Sequence, residues 1–175
     1  RRDQLVLLDE LERAEFVARF GRPTLAVRTV RLGDVAVIVT GNSPSRSEAA
    51  NFCGDLEWIK SDNLGANPVA TAADETLSAL GRQRARTAPA NSVLVTCIAG
   101  SRSSIGKASI VDREVSFNQQ INAILPSSRL DSWFVLSMLR VEPELVRAKS
   151  TGGMKGLVSK SAFASIKIPD VALGA

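Results

Sequence analysis

The 175-residue sequence contains no histidine, the commonest general base and zinc ligand of enzymes. Catalysis through Ser-His or Cys-His pairs is therefore excluded. The two cysteines, Cys53 and Cys97, are too few for a disulfide framework, and their apolar neighbours predict buried, reduced thiols. No apolar run approaches the roughly 18 residues of a membrane span, and no signal-peptide pattern occurs. We therefore expect a globular, cytoplasmic protein, or an excised piece of one.

Patterns that carry enzyme chemistry are incomplete in this chain. Residues 100–107, GSRSSIGK, resemble a phosphate-binding loop, but the first glycine stands one place too early and Ala108 replaces the required Ser or Thr. Residues 67–70, NPVA, lack the second proline and the aromatic residue of the turn with which an amino-methyltransferase holds its target base. The acidic residues between positions 55 and 62 have no metal-ligand spacing and are interpreted as part of a solvated loop. These failures favour binding over catalysis, with no metal and no cofactor.

Positive charge is concentrated in two windows of the chain. The formal net charge is +4 and the pI is about 9.5, while residues 1–20 are close to neutral. No acidic residue occurs between Glu75 and Asp112, or between Glu144 and Asp170. The basic residues inside these windows are Arg82, Arg84, Arg86, Arg102 and Lys107, followed by Arg147, Lys149, Lys155, Lys160 and Lys167. Folded onto one face they would attract phosphates, although scattered, solvated charge is an alternative interpretation.

The first segment of the chain has the pattern of an amphipathic helix. Residues 3–20 carry apolar residues at helical spacing, and Gly21 and Pro23 are expected to end the helix. The stripe that we expect to pack against another surface consists of Leu7, Leu11, Ala14 and Ala18. That surface is either a partner helix or the chain's own domain.

Beyond the helix, short β-rich segments alternate with polar clusters, which predicts a mostly antiparallel sheet with long loops. The predicted strands are 35–40, 56–60, 92–98, 108–111, 120–125 and 165–168. Helices are predicted at 129–141 and from Ser159 onwards. The fold class is therefore α+β, an N-terminal amphipathic helix followed by one domain of sheet, short helices and long loops.

The loops at 41–50, 61–67, 82–88, 100–107 and 149–156 hold side chains suited to phosphate contact or base-edge readout. The candidate DNA-binding residues are Asn42, Ser43, Arg46, Lys60, Asn63, Arg82, Arg84, Arg86, Ser101, Arg102, Ser103, Lys107, Lys149, Thr151 and Lys155. For each residue taken singly, a loop-capping or solvated role is an alternative. Asn118 and Gln120 are interpreted first as internal hydrogen-bonding residues that hold loops in place.

An ordered set of motifs resembles type I restriction-modification specificity subunits. The motifs are LGDVAVIVTGNSPSR (32–46), WIKSDNL (58–64), SVLVTCIAGSRSSIGKASIV (92–111), NQQINAILP (118–126) and SKSAFASIKIP (159–169). Residues 7–23 are similar to the end of the spacer helix that precedes a target-recognition domain in that family. The resemblance implies a division into a spacer or dimerisation helix, 1–22, and a DNA target-recognition domain, 23–175.

The resemblance also implies a non-enzymatic role. Such a domain binds double-stranded DNA sequence-specifically at one half of a split site and directs partner methyltransferase and endonuclease subunits to it. A second recognition domain, or a homodimer partner, would join through the helix. Two alternatives stay open: a protein-interaction module that docks a methyltransferase subunit, and the recognition domain of a fused type II restriction-modification enzyme.

Overall fold

The computed structural model describes the backbone of residues 2–26, 28–151 and 156–170. Its α-helices are α1 (Arg2–Phe20), α2 (Leu32–Val35), α3 (Ala79–Arg84), α4 (Ser132–Val141), α5 (Glu144–Arg147) and α6 (Lys160–Ala164). Its strands are β1 (Thr29–Arg31), β2 (Ile38–Thr40), β3 (Phe52–Ile59), β4 (Thr76–Leu77), β5 (Thr87–Ala88), β6 (Val93–Thr96), β7 (Ile98–Ala99), β8 (Ala108–Ile110), β9 (Val115–Phe117), β10 (Ile121–Ile124), β11 (Gly156–Leu157) and β12 (Lys167–Pro169). The α+β class is confirmed.

The core is built around an antiparallel sheet of order β2-β10-β6-β8. Side chains alternate along β6: Val93 and Val95 pack among the helices on one face, and Leu94 packs against a second sheet on the other. The second sheet has the order β4-β3-β9-β5, and its β3–β9 pair is parallel. Helices, first sheet and second sheet therefore form three layers, and both faces of the first sheet are buried.

The helical layer is dominated by α4, whose buried face includes Val135, Leu136 and Leu139. The helix starts where the Asp131 side chain accepts a hydrogen bond from the backbone N–H of Phe134, at 2.7 Å, which satisfies one of the free amides of the first turn. The helix predicted at 129–141 is thus confirmed, three residues shorter at its start. The helix predicted from Ser159 is α6, and Ser159 is its N-cap.

Helix α1 packs on α4 through the face opposite to the predicted stripe. Phe16 is 5% exposed, and the Phe134 ring lies 5.6 Å from the Phe16 ring and 5.2 Å from the Phe20 ring, centroid to centroid. A helix turns by about 100° per residue, so Phe16 lies about 180° from the predicted stripe. The exposed stripe consists of Leu7, Leu11, Ala14 and Ala18, with Leu7 61% and Leu11 60% exposed. The helix therefore packs on its own domain, but the expectation that the stripe itself makes this contact is wrong; its contact with a partner helix stays a prediction.

The end of α1 is the one that the sequence predicts. Gly21 adopts a φ of +73°, a left-handed conformation that glycine tolerates best, and its N–H donates to the Val17 carbonyl at 2.9 Å.

Several local expectations are wrong. The segment 82–88, predicted as a loop, is mostly regular secondary structure, since Arg82 and Arg84 belong to helix α3 and the chain then enters β5. The predicted strand 35–40 begins as α2, and the predicted strand 92–98 is divided into β6 and β7. Cys97 is buried as expected, but Cys53 is exposed and has a φ of +63°, in an irregular part of the β3–β4 pairing.

Candidate DNA interface

Strand ends from both sheets meet at one end of the domain. In the first sheet, the end of β2 lies beside the start of β10 and the end of β6, because Asn122 pairs with Thr40 and Ile121 with Thr96. In the second sheet, β3 and β9 finish together at the pair Ile59↔Phe117, next to Asn118. Segments 41–51, 60–63, 84–86, 97–107, 118–120 and 149–151 therefore lie together, and we call this end of the domain the loop edge.

The segment 118–120 ties the other loops together. The Asn118 amide donates to Oε1 of Gln120 at 3.0 Å, and the Gln120 backbone N–H donates to Oδ1 of Asn118 at 3.0 Å. The Gln120 carbonyl accepts from the Cys97 backbone N–H at 2.7 Å, and Gln119 accepts from the Ser43 hydroxyl. The expected loop-holding role of Asn118 and Gln120 is confirmed. Ser43 itself is exposed but already bonded within the loop edge.

Asn42 joins the first loop to the segment that follows α3. Its amide donates to the Arg84 carbonyl at 2.7 Å, and its Oδ1 accepts from the Arg86 backbone N–H at 2.7 Å. Its own carbonyl accepts from Nε1 of Trp58 at 3.3 Å. Arg86 in turn donates from Nη1 to the Thr40 carbonyl at 2.7 Å. Asn42 thus holds Arg86 against the end of β2, which the sequence pattern did not indicate.

A cluster of three charges lies over an aromatic ring at the loop edge; we call Arg46, Lys60 and Glu75 the Glu75 cluster. Nη2 of Arg46 donates to both carboxylate oxygens of Glu75, at 2.9 and 3.2 Å, and the Lys60 ammonium donates to Oε1. The Arg46 guanidinium lies 5.2 Å from the Trp58 ring centroid and 5.5 Å from that of Phe52, and the Lys60 ammonium lies 5.4 Å from Trp58. The hydrogen bond from Lys60 holds the pKa of Glu75 below its ordinary value, so the carboxylate stays ionised at neutral pH.

Sequence reasoning missed Glu75 and Trp58. The sequence marks Glu75 only as the border of the acid-free window, and its place beside β3 follows from the fold.

Other candidate cations are also paired with glutamates. Arg84 contacts Glu48 and donates to Oδ1 of Asn51 at 3.1 Å. Arg102 contacts Glu144 at 2.7 Å and keeps 65% of its side chain exposed. Its neighbours Ser101 and Ser103 are exposed, and their hydroxyl oxygens lie 3.2 Å apart. The net positive charge of the loop edge is therefore small, because carboxylates neutralise much of the charge of its arginines.

Three candidate residues, Arg82, Asn63 and Lys107, are less suited to contacting DNA at the loop edge. Arg82 contacts Glu114, which precedes β9 and so lies at the end of that strand away from the loop edge. The amide of Asn63 is used internally: its Oδ1 accepts from the Lys60 backbone N–H at 2.9 Å and its Nδ2 donates to the Ala72 carbonyl at 3.0 Å. Lys107 borders a cavity of about 320 Å³ between α1 and the domain, beside Arg13 and Arg140.

The second basic segment reaches the loop edge through β11. Leu157 pairs with Ile98 of β7, and the Thr151 backbone N–H donates to the Leu157 carbonyl at 2.9 Å. Lys149 precedes this bridge and is exposed. Lys155 lies outside the described residues.

The acidic residues of the described part of the chain form no metal-binding cluster. In the ranges 2–26, 28–151 and 156–170, no group of three or more His, Cys, Asp or Glu residues is placed to hold a metal ion. Glu57, expected in a solvated loop, lies on β3, where the Arg113 guanidinium contacts both carboxylate oxygens, at 2.5 and 2.8 Å, and lowers the pKa of Glu57. None of the described helices is long and apolar enough to cross a membrane.

Comparison with known proteins gives one consistent family. Residues 26–174 match the model of the type I restriction modification DNA specificity domain. A curated relative, the type I restriction enzyme HindI specificity subunit of Haemophilus influenzae, is 29% identical over 143 residues, which cover 78% of this chain and 30% of that subunit. The chain thus spans less than a third of the length of that relative.

Solved structures show the same fold. The HsdS subunit from Thermoanaerobacter tengcongensis matches with a TM-score of 0.66 and 20% identity over 97% of this chain and 41% of that chain. A chain from a study of complex assembly and conformational transition of the type I R-M system matches with a TM-score of 0.68 and 19% identity, over 97% and 43%. The S subunit from M. genitalium matches with a TM-score of 0.56 and 13% identity, over 83% and 36%. With its motifs, fold and matched residues taken together, the chain belongs to the family of type I restriction-modification DNA specificity domains.

Proposed function

We propose that this chain is the target-recognition domain of a type I specificity subunit and that its loop edge binds double-stranded DNA sequence-specifically. One observation carries the proposal: the register of the two sheets brings polar and cationic loops from distant parts of the chain to one end of the domain. Of the candidates at that end, those that we retain for DNA contact or for shaping the surface are Asn42, Ser43, Arg46, Lys60, Arg84, Arg86, Ser101, Arg102, Ser103, Lys149 and Thr151. Family membership in a DNA specificity domain agrees with this use of the surface.

The geometry favours different tasks for different side chains. Lys149 is exposed, and a flexible ammonium of this kind suits a phosphate, which fixes register without reading sequence. Arg102, 65% exposed and oriented by Glu144, presents a fork that suits a guanine edge. Asn42 and Asn63 use their amides inside the protein, so we assign them to holding loops rather than to reading bases.

The proposed biological role is that of a guide without catalysis of its own. The domain would recognise one half of a split DNA site and direct methyltransferase and endonuclease subunits to it, and those partners would supply the reactions and any cofactor. The matched HindI protein is the specificity subunit of a type I restriction enzyme, which supports this assignment. The incomplete nucleotide and methyltransferase motifs of this chain agree with it.

The exposed stripe on α1 is the proposed contact to a second recognition unit. Leu7 and Leu11 are each about 60% exposed on the face opposite to Phe16, so burying them requires a surface outside this domain. The matched solved chains are more than twice as long as this one, which leaves room in such a subunit for a second unit with its own helix. A second copy of this chain would offer the same apolar face.

The test is binding to a randomised DNA duplex pool at two salt concentrations, with sequencing of the retained DNA. We expect enrichment of a motif of a few base pairs. Lys149→Ala should weaken binding to all sequences alike and reduce the slope of log K against log salt by about 1. Lys167→Ala is the matched control, because this exposed lysine lies on β12, in the small β1–β12 sheet.

Salt-sensitive binding without any motif would contradict sequence recognition. It would leave a basic surface only, and would favour the alternative in which α1 and the domain dock a methyltransferase subunit.

A further inference from the structure

The Glu75 cluster has a donor and an acceptor side by side on an exposed surface. Nη2 of Arg46 and Oε2 of Glu75 are 2.9 Å apart, and the two side chains are 61% and 32% exposed. Guanine O6 and cytosine N4 of a G·C pair are hydrogen-bonded to one another, so they are also separated by about 2.9 Å at the major-groove edge. The guanidinium and the carboxylate therefore present donors beside an acceptor, a polarity complementary to the acceptors and the donor of the G·C edge.

We propose that Glu75 is a specificity-determining residue, and that Arg46 and Glu75 together read one G·C base pair in the major groove. Arg46 donates to N7 and O6 of guanine, and Glu75 accepts from N4 of cytosine. This inference rests on the proposed DNA-binding function and adds to it the identity of one recognised base pair.

The arrangement of the cluster favours a base edge over a phosphate. The three charged groups carry a net charge of only +1, and the carboxylate repels a phosphate that approaches Arg46. Among the described residues, Arg46 uses only Nη2 to bond Glu75, which leaves Nη1 and Nε for a ligand. In the complex, DNA would bury these groups, so a wrong base pair would leave the Arg46 donors or the Glu75 carboxylate without hydrogen-bond partners. The cost of such unpaired groups is how a polar site rejects a similar but incorrect ligand.

Arg46 is also held in place before DNA arrives. Its guanidinium lies over the adjoining rings of Phe52 and Trp58, whose centroids are 6.1 Å apart, and Nε1 of Trp58 donates a hydrogen bond to the Asn42 carbonyl. A preorganised side chain loses little rotamer entropy on binding, so more of its interaction energy is available for discrimination. Lys60 is only 31% exposed and lies over Trp58, so it is a positioning residue that orients the Glu75 carboxylate through its hydrogen bond to Oε1.

The pattern of donors decides between the two kinds of base pair. Arg46 followed by Glu75 presents donors and then an acceptor, which complements N7, O6 and N4 of a G·C pair. An A·T pair presents acceptor, donor, acceptor, and would need Lys60 to reach the base as well. The half-buried position of Lys60 favours the G·C pair.

The experiment compares the unmodified chain with Glu75→Gln and Arg46→Lys in selection from the randomised duplex pool. The unmodified chain should enrich a motif with one invariant G·C pair. Glu75→Gln should relax that single position about tenfold and leave the other positions unchanged. It should also steepen the salt slope by about 1, because Arg46 and Lys60 lose their carboxylate. Arg46→Lys keeps the charge but loses the fork, and should relax the same position.

Glu114→Gln is the matched control, because it breaks another Glu–Arg pair, with Arg82, away from the loop edge. It should leave every position of the motif unchanged, and thermal unfolding of each variant checks that it is folded. A motif that survives both Glu75→Gln and Arg46→Lys unaltered overturns this inference and leaves the proposed function standing. An A·T pair at the affected position overturns the assignment to G·C. Failure of the unmodified chain to enrich any motif overturns the proposed function, and this inference with it.

Discussion

Replacing Phe16 by alanine tests whether α1 is an integral part of the domain. Phe16 is 5% exposed and its ring lies 5.1 Å from that of Phe20 and 5.6 Å from that of Phe134. Burial of such a side chain contributes about 1.5–3 kcal/mol, and each aromatic pair adds about 0.5–1.5 kcal/mol. We therefore expect Phe16→Ala to lower the free energy of unfolding by about 3 kcal/mol, in line with other buried Phe→Ala changes.

The assay is urea denaturation followed by far-UV circular dichroism, with Leu11→Ala as the control. Leu11 lies on the same helix but is 60% exposed, so in protein dilute enough to be monomeric its truncation should change stability by less than about 0.5 kcal/mol. The midpoint of Phe16→Ala should fall at an unchanged m value. If the two variants unfold at the same urea concentration, α1 is not packed on α4, and the helix 1–22 is a separate unit.

Two further predictions concern charge and association. Arg113 lowers the pKa of Glu57 below 4.5, so the stability from this pair is complete above that pH and is lost as the pH falls through the lowered value. Glu57→Gln should cost about 1–2 kcal/mol at pH 7 and should weaken the acid dependence of urea unfolding; an acid dependence equal to that of the unmodified chain contradicts this pairing. In sedimentation equilibrium, the unmodified chain should self-associate through the α1 stripe and Leu11→Gln should associate at least about tenfold more weakly, whereas equal association constants would exclude the stripe as the contact.

The elements that sequence could predict are those with a local signal. Helix α4 has an N-cap at Asp131 and a continuous apolar face, and α1 ends at a glycine that adopts a left-handed conformation. Strand β9 has three residues, and its partners β3 and β5 come from distant segments, so nothing local marks it.

Helix α3 was missed for a different reason. Its arginines and its glycine are typical of a solvated loop, yet Gly81 is required because a Cβ there would lie 2.0 Å from the Asn51 carbonyl oxygen. The close packing of the helix on the 49–51 turn is a tertiary contact between separate segments, so the local sequence does not predict it.

The candidate site was predicted in part, for a similar reason. Charge and polarity indicated which loops hold Arg46, Arg84 and Arg102, and the sheet register explains why these loops meet. The carboxylates that neutralise them, Glu75, Glu48 and Glu144, could not be assigned from sequence. Each partner is at least 29 residues away along the chain, so each pairing follows from the fold alone.

These pairings change what the modest net charge of +4 means for recognition. A cation that is already paired with a carboxylate releases few counterions at a phosphate, so the salt-dependent, sequence-independent part of binding is small for its number of arginines. The affinity of such a surface for DNA then depends on groups that accept hydrogen bonds from the arginines or donate them to the carboxylates. Base edges carry both kinds of group. We therefore expect a loop edge with paired arginines to bind random DNA weakly and to gain affinity mainly at a matching sequence, which is the balance that a domain searching for one site among many requires.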